Sequence, residues 1–428
     1  MYFPLLIFLL LIILSACNSS SVDNNTSSNS GEENKIQDQT PGVTDTTIKL
    51  GVLNDFSGGA SFMGLGGEEA YLAYVQYINE NGGINGRKIE LVAEDNQYTP
   101  AGGVNGSKKL ITMDNVFAIP YSFGTGPTVA IKDYINKEQV PVLGLGEGTE
   151  FFNPSSKYLF GVGTPYSYQG AIAVRYIVEN LSNGEEVKVG YMGQDDSFGK
   201  DPLQGIESAL KVYDNIDLSF QAFHKRDVVD ISDQVTQLKA SNVDYLLLSA
   251  SVERAGIIVK ELAQQNVDLK GVFSLSFGAI DNRIFEIAGH DYIDKYYGIQ
   301  SFYSWDQQDQ ESVSKVIEIL KQQGKEDVIE KKNNFFWYSW NNMALFGEAM
   351  KQAGVNLTRE GVVEALENLD GSNTLTTLPS INYSPDIRIS GDSAFVVKTK
   401  LNEDGKVVWE DISDFISVPE EVLNELGF

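Results

Sequence analysis

The chain has 428 residues, and 59 acidic against 32 basic side chains give it a formal net charge of −27. Because so negative a surface repels a phosphate backbone, we expect no nucleic-acid partner. A folded part of roughly 380 residues exceeds one comfortable core, which favours two lobes. The one cysteine, Cys17, leaves no thiol for an internal disulfide or a cysteine-type zinc site.

An apolar run opens the chain and ends at that cysteine. Leu5–Leu14 has the length of a signal-peptide core and is too short to span a hydrocarbon layer of about 30 Å. The stretch Leu14-Ser15-Ala16-Cys17 resembles the lipobox of bacterial lipoproteins, which implies a signal peptide at residues 1–16 and lipid attachment at Cys17. The alternative is an ordinary core cysteine. Residues 17–45 are rich in Ser, Asn, Thr and acids, so we predict a disordered, lipid-anchored tether.

From Ile48 onward, short apolar runs alternate with stretches of helical period, which indicates an α/β fold with doubly wound parallel sheets. The first series has four strands and three helices, predicted at Ile48–Leu53, Gly66–Asn81, Lys88–Ala93, Ala101–Met113, Val116–Ile119, Thr125–Asn136 and Val140–Leu143. A second series follows a break near Gly161–Gly163, with alternating helices and strands at Tyr168–Asn180, Val187–Met192, Ser197–Val212, Leu218–Phe223, Asp230–Ala240, Tyr245–Leu248, Glu253–Gln265 and Gly271–Leu275. Two similar lobes in tandem are therefore expected.

The last third of the chain supplies elements to both lobes. It comprises a strand at Tyr296–Phe302, helices at Gln308–Gln323, Phe335–Ala353 and Thr358–Leu369, and strands at Ala394–Thr399 and Val407–Ile412 that a turn connects. We assign residues 46–164 and 302–378 to lobe 1, and residues 165–301 and 379–428 to lobe 2.

Motifs for catalysis or cofactor binding are hard to find. The two histidines, His224 and His290, lie far apart in the sequence, and each is expected at the surface or in a loop. The glycines of Gly144–Gly148 lack the G-x-G-x-x-G spacing, and Ser197 lacks the glycine two positions earlier that a nucleophile elbow needs. We therefore expect no enzyme, no cofactor and no metal site, and an exported enzyme is the least favoured alternative.

Several strands end in short loops of Gly, Ser, Thr and aromatic residues before the next helix begins. In open parallel sheets, ligands bind at these carboxyl ends. The loops are Phe56–Gly64, Tyr121–Thr125 and Gly144–Thr149 in the first series, and Asp195–Phe198, Ser249–Ser251 and Ser276–Phe277 in the second. Each alone is equally consistent with an ordinary loop, but together they predict two facing rims and hence a cleft. The helix that starts at Thr125 could offer its free amide groups to a carboxylate.

The order of these segments resembles the type I periplasmic binding proteins of ABC importers, in particular the Leu/Ile/Val-binding and amide- or urea-binding proteins. The resemblance covers about residues 46–415. Its most specific parts are Ile48–Gly58, Gly64 and Tyr77–Gly86, which contains the pattern Ile-Asn-x-x-Gly-Gly-Ile-x-Gly. Asp95-Asn96, Val140–Val142, Asp196–Gly199 and Phe336–Asn341 add support. The resemblance implies two lobes joined by a multi-strand hinge.

The residues that match the family's pocket come from both lobes and are Met63, Thr125, Gly146, Glu147, Gly148, Phe198, Ser251 and Ser276. In relatives, Thr125 and the Gly146–Gly148 loop would hold the ligand carboxylate, and Phe198 would cover it. Amino-acid binders usually have an acid at the position of Ser276, which pairs with the ligand's ammonium. A buried ammonium without such a partner is costly, so Glu147, Asp281 or the acids Asp195-Asp196 would have to replace it.

Two ligand classes therefore stay open. One is a branched-chain or other apolar amino acid, and the other is a small solute such as an amide, an aromatic acid or a short polyol. The resemblance implies a monomeric, extracytoplasmic receptor that closes around its ligand by hinge bending and delivers it to an ABC permease in the membrane. The alternative is a sensor that reports the ligand to a kinase or a chemoreceptor.

Overall fold

The computed structural model describes residues 40–145, 148–275, 279–369 and 375–427. Cys17, the predicted signal peptide and most of the predicted tether lie outside these ranges. Residues 40–45, which we assigned to the tether, contact the folded part. The hydroxyl of Thr40 donates to the carbonyl of Leu357 at 2.9 Å, and the N–H of Lys49 donates to the carbonyl of Gly42 at 2.7 Å. Otherwise the boundaries of the tether and the lobes stay predictions.

The first lobe contains a five-stranded parallel sheet with the strand order β2-β1-β3-β4-β5. Its strands are β1 (Thr47–Asn54), β2 (Lys88–Asp95), β3 (Ala118–Phe123), β4 (Val142–Leu145) and β5 (Leu159–Gly161). All of β3 is buried, as is typical of an inner parallel strand covered on both faces. A strand is present near each of the four predicted positions, although β3 and β4 each begin two residues later than predicted, and β5 is a short addition.

Three helices connect these strands, α1 (Ser61–Glu80), α2 (Pro100–Thr112) and α3 (Thr125–Lys137). The start of α2 follows from its sequence, because the Thr99 hydroxyl accepts the N–H of Gly102 at 3.0 Å and Pro100 occupies the first helical turn. The end of α1 also agrees with the prediction, since Gly82 and Gly83 have φ angles of +92° and +75°.

The second lobe contains a mixed sheet with the strand order β12-β11-β10-β9-β8-β6-β7, and β13 pairs with β11. Its strands are β6 (Val187–Gln194), β7 (Ile216–His224), β8 (Tyr245–Ser249), β9 (Gly271–Ser274), β10 (Tyr296–Gln300), β11 (Ser393–Leu401), β12 (Val407–Asp411) and β13 (Ile416–Ser417). The parallel part, β7-β6-β8-β9-β10, repeats the order of the first sheet, which confirms two similar lobes. The hairpin of β11 and β12 adds antiparallel strands at one edge.

The other helices are α4 (Tyr166–Tyr176), α5 (Ser197–Ala209), α6 (Ser232–Ser241), α7 (Val252–Gln264), α8 (Arg283–Ala288), α9 (Glu311–Gln322), α10 (Glu326–Lys331), α11 (Phe335–Gln352), α12 (Arg359–Glu367) and α13 (Glu420–Leu426). Helix α11 packs on α1, β3 and β4, and its Trp337 and Trp340 are fully buried. Within the described ranges, we find no helix with the length and apolar character needed to cross a membrane.

Three stretches of chain link the lobes, after β5, after β10 and after α12. These stretches hydrogen bond to one another. The N–H of Gly163 donates to the hydroxyl of Ser390 at 2.8 Å, and the N–H of Thr164 donates to the hydroxyl of Ser301 at 3.2 Å. Gly161 of β5 also pairs with Ile389. The expected multi-strand hinge is therefore present.

Candidate ligand-binding cleft

A cavity with about 400 Å³ of empty space lies between the two lobes. Both lobes contribute to its lining, which comprises Met63, Tyr98, Phe123, Gly124, Thr125, Leu145, Tyr166, Phe198, Ser251, Phe335 and Tyr338. Among the described residues that line it, none has a charged side chain.

On the first lobe, the turn from β3 into α3 sets the position of Thr125. Gly124 has a φ of +91°, and a Cβ there would lie 2.7 Å from the ring of Tyr98, so the turn favours glycine. The N–H of Gly124 donates to the carbonyl of Leu145 at 3.0 Å, which holds the turn against β4. Thr125 is therefore the first residue of α3, with 2% of its surface exposed.

Aromatic rings form one wall of the cavity. The ring centroids of Tyr98 and Phe123 are 5.6 Å apart, those of Phe123 and Phe335 are 6.3 Å apart, and those of Phe335 and Tyr338 are 6.0 Å apart. Phe335 and Tyr338 come from one turn of α11, which brings them against the end of β3. Such a wall can enclose an apolar body.

On the second lobe, the start of α5 positions Phe198. Asp196 caps this helix by accepting the N–H of Gly199, and a Cβ on Gly199 would clash with the backbone of Gln194 at the end of β6. The close packing leaves Phe198 only 7% exposed. Its ring meets that of Tyr166 edge to face at 5.3 Å.

Of the predicted site residues, Met63, Thr125, Phe198 and Ser251 lie around this one cavity. Gly148 lies beside it, because a Cβ on Gly148 would be 2.8 Å from the Thr125 methyl group. Gly146, Glu147 and Ser276 fall outside the described residues. Ligand contact by any of these residues stays a prediction.

The sequence analysis did not assign several aromatic lining residues, namely Tyr98, Phe123, Tyr166, Phe335 and Tyr338. The sequence contains features that could have identified four of these five residues. Phe123 lies within the predicted loop Tyr121–Thr125, and Tyr98 follows the motif Asp95-Asn96 by two residues. Phe335 and Tyr338 lie on a helix whose aromatic character is evident from the sequence, but the sequence does not place that helix at the cleft.

A second, more polar cavity with about 630 Å³ of empty space shares Thr125 with the first. Its other lining residues are Gly148, Glu150, Asp196, Ser197, Lys200, Asp201 and Gln204. Asp201 accepts the N–H of Thr149 from the first lobe at 3.2 Å and the N–H of Ser167 at 3.0 Å. Burial raises the pKa of Asp201 to about 6.

Three of the acids proposed as ammonium partners, Asp281, Asp195 and Asp196, have other contacts, and the fourth, Glu147, lies outside the described residues. Asp281 accepts the backbone N–H groups of Arg283 and Asn334 at 2.9 and 3.4 Å, and burial raises its pKa to about 6. Asp196 pairs with Arg226 at 2.9 Å, and Asp195 pairs with Lys200 at 2.6 Å. Of the three described acids, only Asp196 lines one of the two cavities, the polar one.

The expectation that His224 lies at the surface or in a loop was wrong. It is the last residue of β7 and is 2% exposed. Its Nδ1 lies 3.0 Å from the carbonyl oxygen of Lys225. Burial lowers the pKa of its imidazole, which favours the neutral form.

The chain matches a family model described as periplasmic binding protein over residues 47–405. A similar relative is the Leu/Ile/Val-binding protein homolog 7 of Brucella abortus (strain 2308), which is 24% identical over 264 residues, or 59% of this chain and 64% of that relative. The chain thus spans less than two thirds of that relative's length.

The solved structures that share the fold include the following two. The fatty acid ABC transporter substrate-binding protein from Thermomonospora curvata has a TM-score of 0.78 and 23% identity, covering 90% of this chain and 96% of that chain. The branched chain amino acid ABC transporter from Thermus thermophilus with bound valine has a TM-score of 0.78 and 17% identity, covering 89% of this chain and 99% of that chain. Together with the family match, they show that this chain belongs to the periplasmic binding protein family and has the type I fold of ABC transporter substrate-binding proteins.

Proposed function

We propose that this protein is an extracytoplasmic lipoprotein that captures a small, largely apolar solute in its inter-lobe cleft and delivers it to an ABC permease. The observation that carries the proposal is the aromatic cavity, because residues of both lobes line it. A ligand that touches both lobes binds the closed form better than the open form, and this difference drives closure. The hinge of three linking stretches is suited to that motion.

The lining supports a ligand with an apolar body and a polar edge. The aromatic wall would surround the body, and the hydroxyls of Thr125 and Ser251 could hydrogen bond to the edge. Branched-chain or other apolar amino acids and related small amides or organic acids meet this description. The relatives' names point the same way, since they mention leucine, isoleucine and valine binding, fatty acid transport and bound valine. An amino acid would also need an acid near its ammonium, for which Asp196 and Asp201 of the polar cavity are candidates.

The anchoring and domain boundaries belong to the same proposal. Sequence alone supports a lipid on Cys17, a monomer, and a location in the periplasm or on the outer face of the plasma membrane. The order of strands supports lobe 1 as residues 46–164 and 302–378, and lobe 2 as residues 165–301 and 379–428. No chemical step is part of the proposal.

Thermal shift and titration calorimetry with apolar amino acids, amides, and aliphatic and aromatic acids test the binding. We expect at least one compound to raise the melting temperature and to bind with one-to-one stoichiometry. Phe198→Ala should weaken that binding about 10-fold or more, because it removes a ring from the cavity wall. Phe220→Ala is the matched control, since Phe220 lies on β7 of the same lobe and is not a cavity residue.

Failure of every compound to stabilise the protein would remove the support for solute capture. Equal binding by the Phe198 and Phe220 variants would mean that the ligand site lies elsewhere. Uptake of the identified compound by cells that lack the protein, compared with complemented cells, then tests delivery to a permease.

A further inference from the structure

An arginine of the second lobe covers an aromatic ring of the first lobe beside the cavity. The guanidinium carbon of Arg226 lies 4.2 Å from the centroid of the Tyr98 ring, and its Nη1 donates to the Tyr98 carbonyl. Asp196 of the second lobe pairs with the same guanidinium at 2.9 Å. Arg226 is thus oriented by an acid of its own lobe while its guanidinium lies over a ring of the other lobe.

A second arginine repeats this arrangement. The guanidinium carbon of Arg283 lies 4.2 Å from the centroid of Phe62, a residue in the first turn of α1. Its Nε is 3.8 Å from a carboxylate oxygen of Glu253 at the start of α7. The acid again belongs to the second lobe and the ring to the first.

The two contacts lie at separate places along the rim of the second lobe. Arg226 follows β7, whereas Arg283 follows β9, and the strands β8 and β6 lie between β9 and β7 in the sheet. Their aromatic partners are cavity neighbours, because Tyr98 lines the cavity and Phe62 precedes the lining residue Met63. Opening of the cleft would separate both pairs, since each joins one lobe to the other.

We propose that Arg226 and Arg283 are positioning residues that hold the two lobes closed and thereby set ligand affinity without belonging to the cavity lining. The inference rests on the proposed function for its effect on affinity, but the closing role is a property of the ligand-free protein. A guanidinium over an aromatic ring favours the closed form modestly, and two such contacts are expected to raise the closed-to-open ratio about tenfold.

Distances between spin labels on the two lobes measure this ratio without a ligand. Labels at Met113→Cys on the first lobe and Gln237→Cys on the second, in a Cys17→Ser background, place one thiol on each lobe at exposed positions. We expect the otherwise unaltered, ligand-free protein to populate the short distance as a measurable minority beside a longer one. The double variant Arg226→Gln/Arg283→Gln should shift population to a longer distance, with a closed-to-open ratio about tenfold lower.

The matched control is Arg175→Gln. Arg175 pairs with Glu179 and donates to the carbonyl of Ser417, all within the second lobe, so this variant should keep the short distance. Arg226→Lys keeps the charge but loses the planar stacking, and it should give an intermediate ratio. Normal melting of each variant establishes that the lobes are folded.

A double-mutant cycle tests the second contact independently of the cavity, because Phe62 does not line it. Phe62→Leu and Arg283→Gln should each lower the closed-to-open ratio, and the pair should lower it no further than either alone. Independent, multiplicative effects would overturn the assignment of this pair.

Two results would overturn the proposal as a whole. One is a distance distribution of the double variant that superposes on that of the unaltered protein, and the other is an unaltered protein that shows only the long distance. If the distances shift as expected but no solute binds, the closing role stands and the proposed function fails. Where a ligand is found, the double variant should bind it about tenfold more weakly, and Arg175→Gln should bind it normally.

Discussion

At the scale of single residues, Asp201 is a buried acid that lines the polar cavity and accepts hydrogen bonds from both lobes. Its carboxylate is 5% exposed and accepts backbone N–H groups from Thr149 of the first lobe and Ser167 at the start of α4. Those two hydrogen bonds favour the charged form, yet burial outweighs them and raises the pKa from 3.8 to about 6. The side chain therefore carries a charge at neutral pH at an energetic cost.

Asp201 should make stability depend on pH in the mildly acidic range. Because its folded-state pKa exceeds the unfolded value, the folded protein binds the extra proton between about pH 4 and pH 6. Its contribution to stability is then largest below pH 4 and is lost as the pH rises through 6. The full difference is about 3 kcal/mol, since one pKa unit corresponds to about 1.36 kcal/mol.

Denaturant unfolding of the unaltered protein and of Asp201→Asn at pH 4, 5, 6 and 7 measures this effect. The free energy of unfolding of the unaltered protein minus that of the variant should fall as the pH rises. Taking the difference cancels the carboxylates whose pKa is lowered, such as Asp244. A difference that stays constant over this range would contradict the assignment.

Sequence patterns could identify site residues that follow a strand, and they missed those that depend on tertiary packing. Thr125 and Phe198 were predicted because each lies in a loop at the end of a strand and matches a pocket position of the family. Phe335 and Tyr338 belong to a helix about two hundred residues further along the chain than β3, and only packing brings them to the cleft. His224 was expected at the surface or in a loop because histidine is polar. Polarity alone does not show that the end of β7 is buried.

At the scale of elements, the packing of α4 against α5 depends on two glycines. A Cβ on Gly170 of α4 would clash with the carbonyl of Pro202, and a Cβ on Gly205 of α5 would clash with the carbonyl of Ser167. The helix backbones therefore approach more closely than side chains would allow. This contact matters for the cleft, since α5 carries Phe198 and Asp201.

Replacing Gly205 by alanine should separate the two helices. We expect Gly205→Ala to lower the free energy of unfolding by about 1–3 kcal/mol, because the obstructing atom is backbone and cannot rotate away. Gly59→Ala is the control, since nothing lies within 4 Å of a Cβ at that position, and its effect should stay within about 0.5 kcal/mol. Denaturant titration of both variants measures the difference, and equal stabilities would show that α4 and α5 can adjust.

The helices and strands were predictable where apolar periodicity was long and uninterrupted. Helix α1 begins five residues earlier than predicted, because Gly64 and Gly66 lower helix propensity in its first turns. Those glycines are required by packing, as a Cβ on Gly64 would clash with the carbonyl of Asp55. The strand β5 has three residues, too few to show any alternation.

At the scale of the whole molecule, the number of lobes and their similarity followed from length and from the repeated strand and helix series. The closed arrangement could not be predicted, because it depends on pairs such as Tyr98 and Arg226 that are 128 positions apart. Such contacts leave no periodic signal in the sequence. They join the two lobes at the cleft, where no disulfide can, since Cys17 is the only cysteine.

The lone cysteine allows a direct test of anchoring. If Cys17 carries the lipid, Cys17→Ser should move the protein from the detergent-rich phase to the aqueous phase in a detergent partitioning assay. The melting temperature should not change, because the packing described above involves residues 40–427 and not Cys17. Ser19→Ala is the matched control and should partition like the unaltered protein. Continued partitioning of the Cys17 variant into detergent would place the anchor elsewhere, whereas a fall of several degrees in its melting temperature would favour the alternative of a core cysteine.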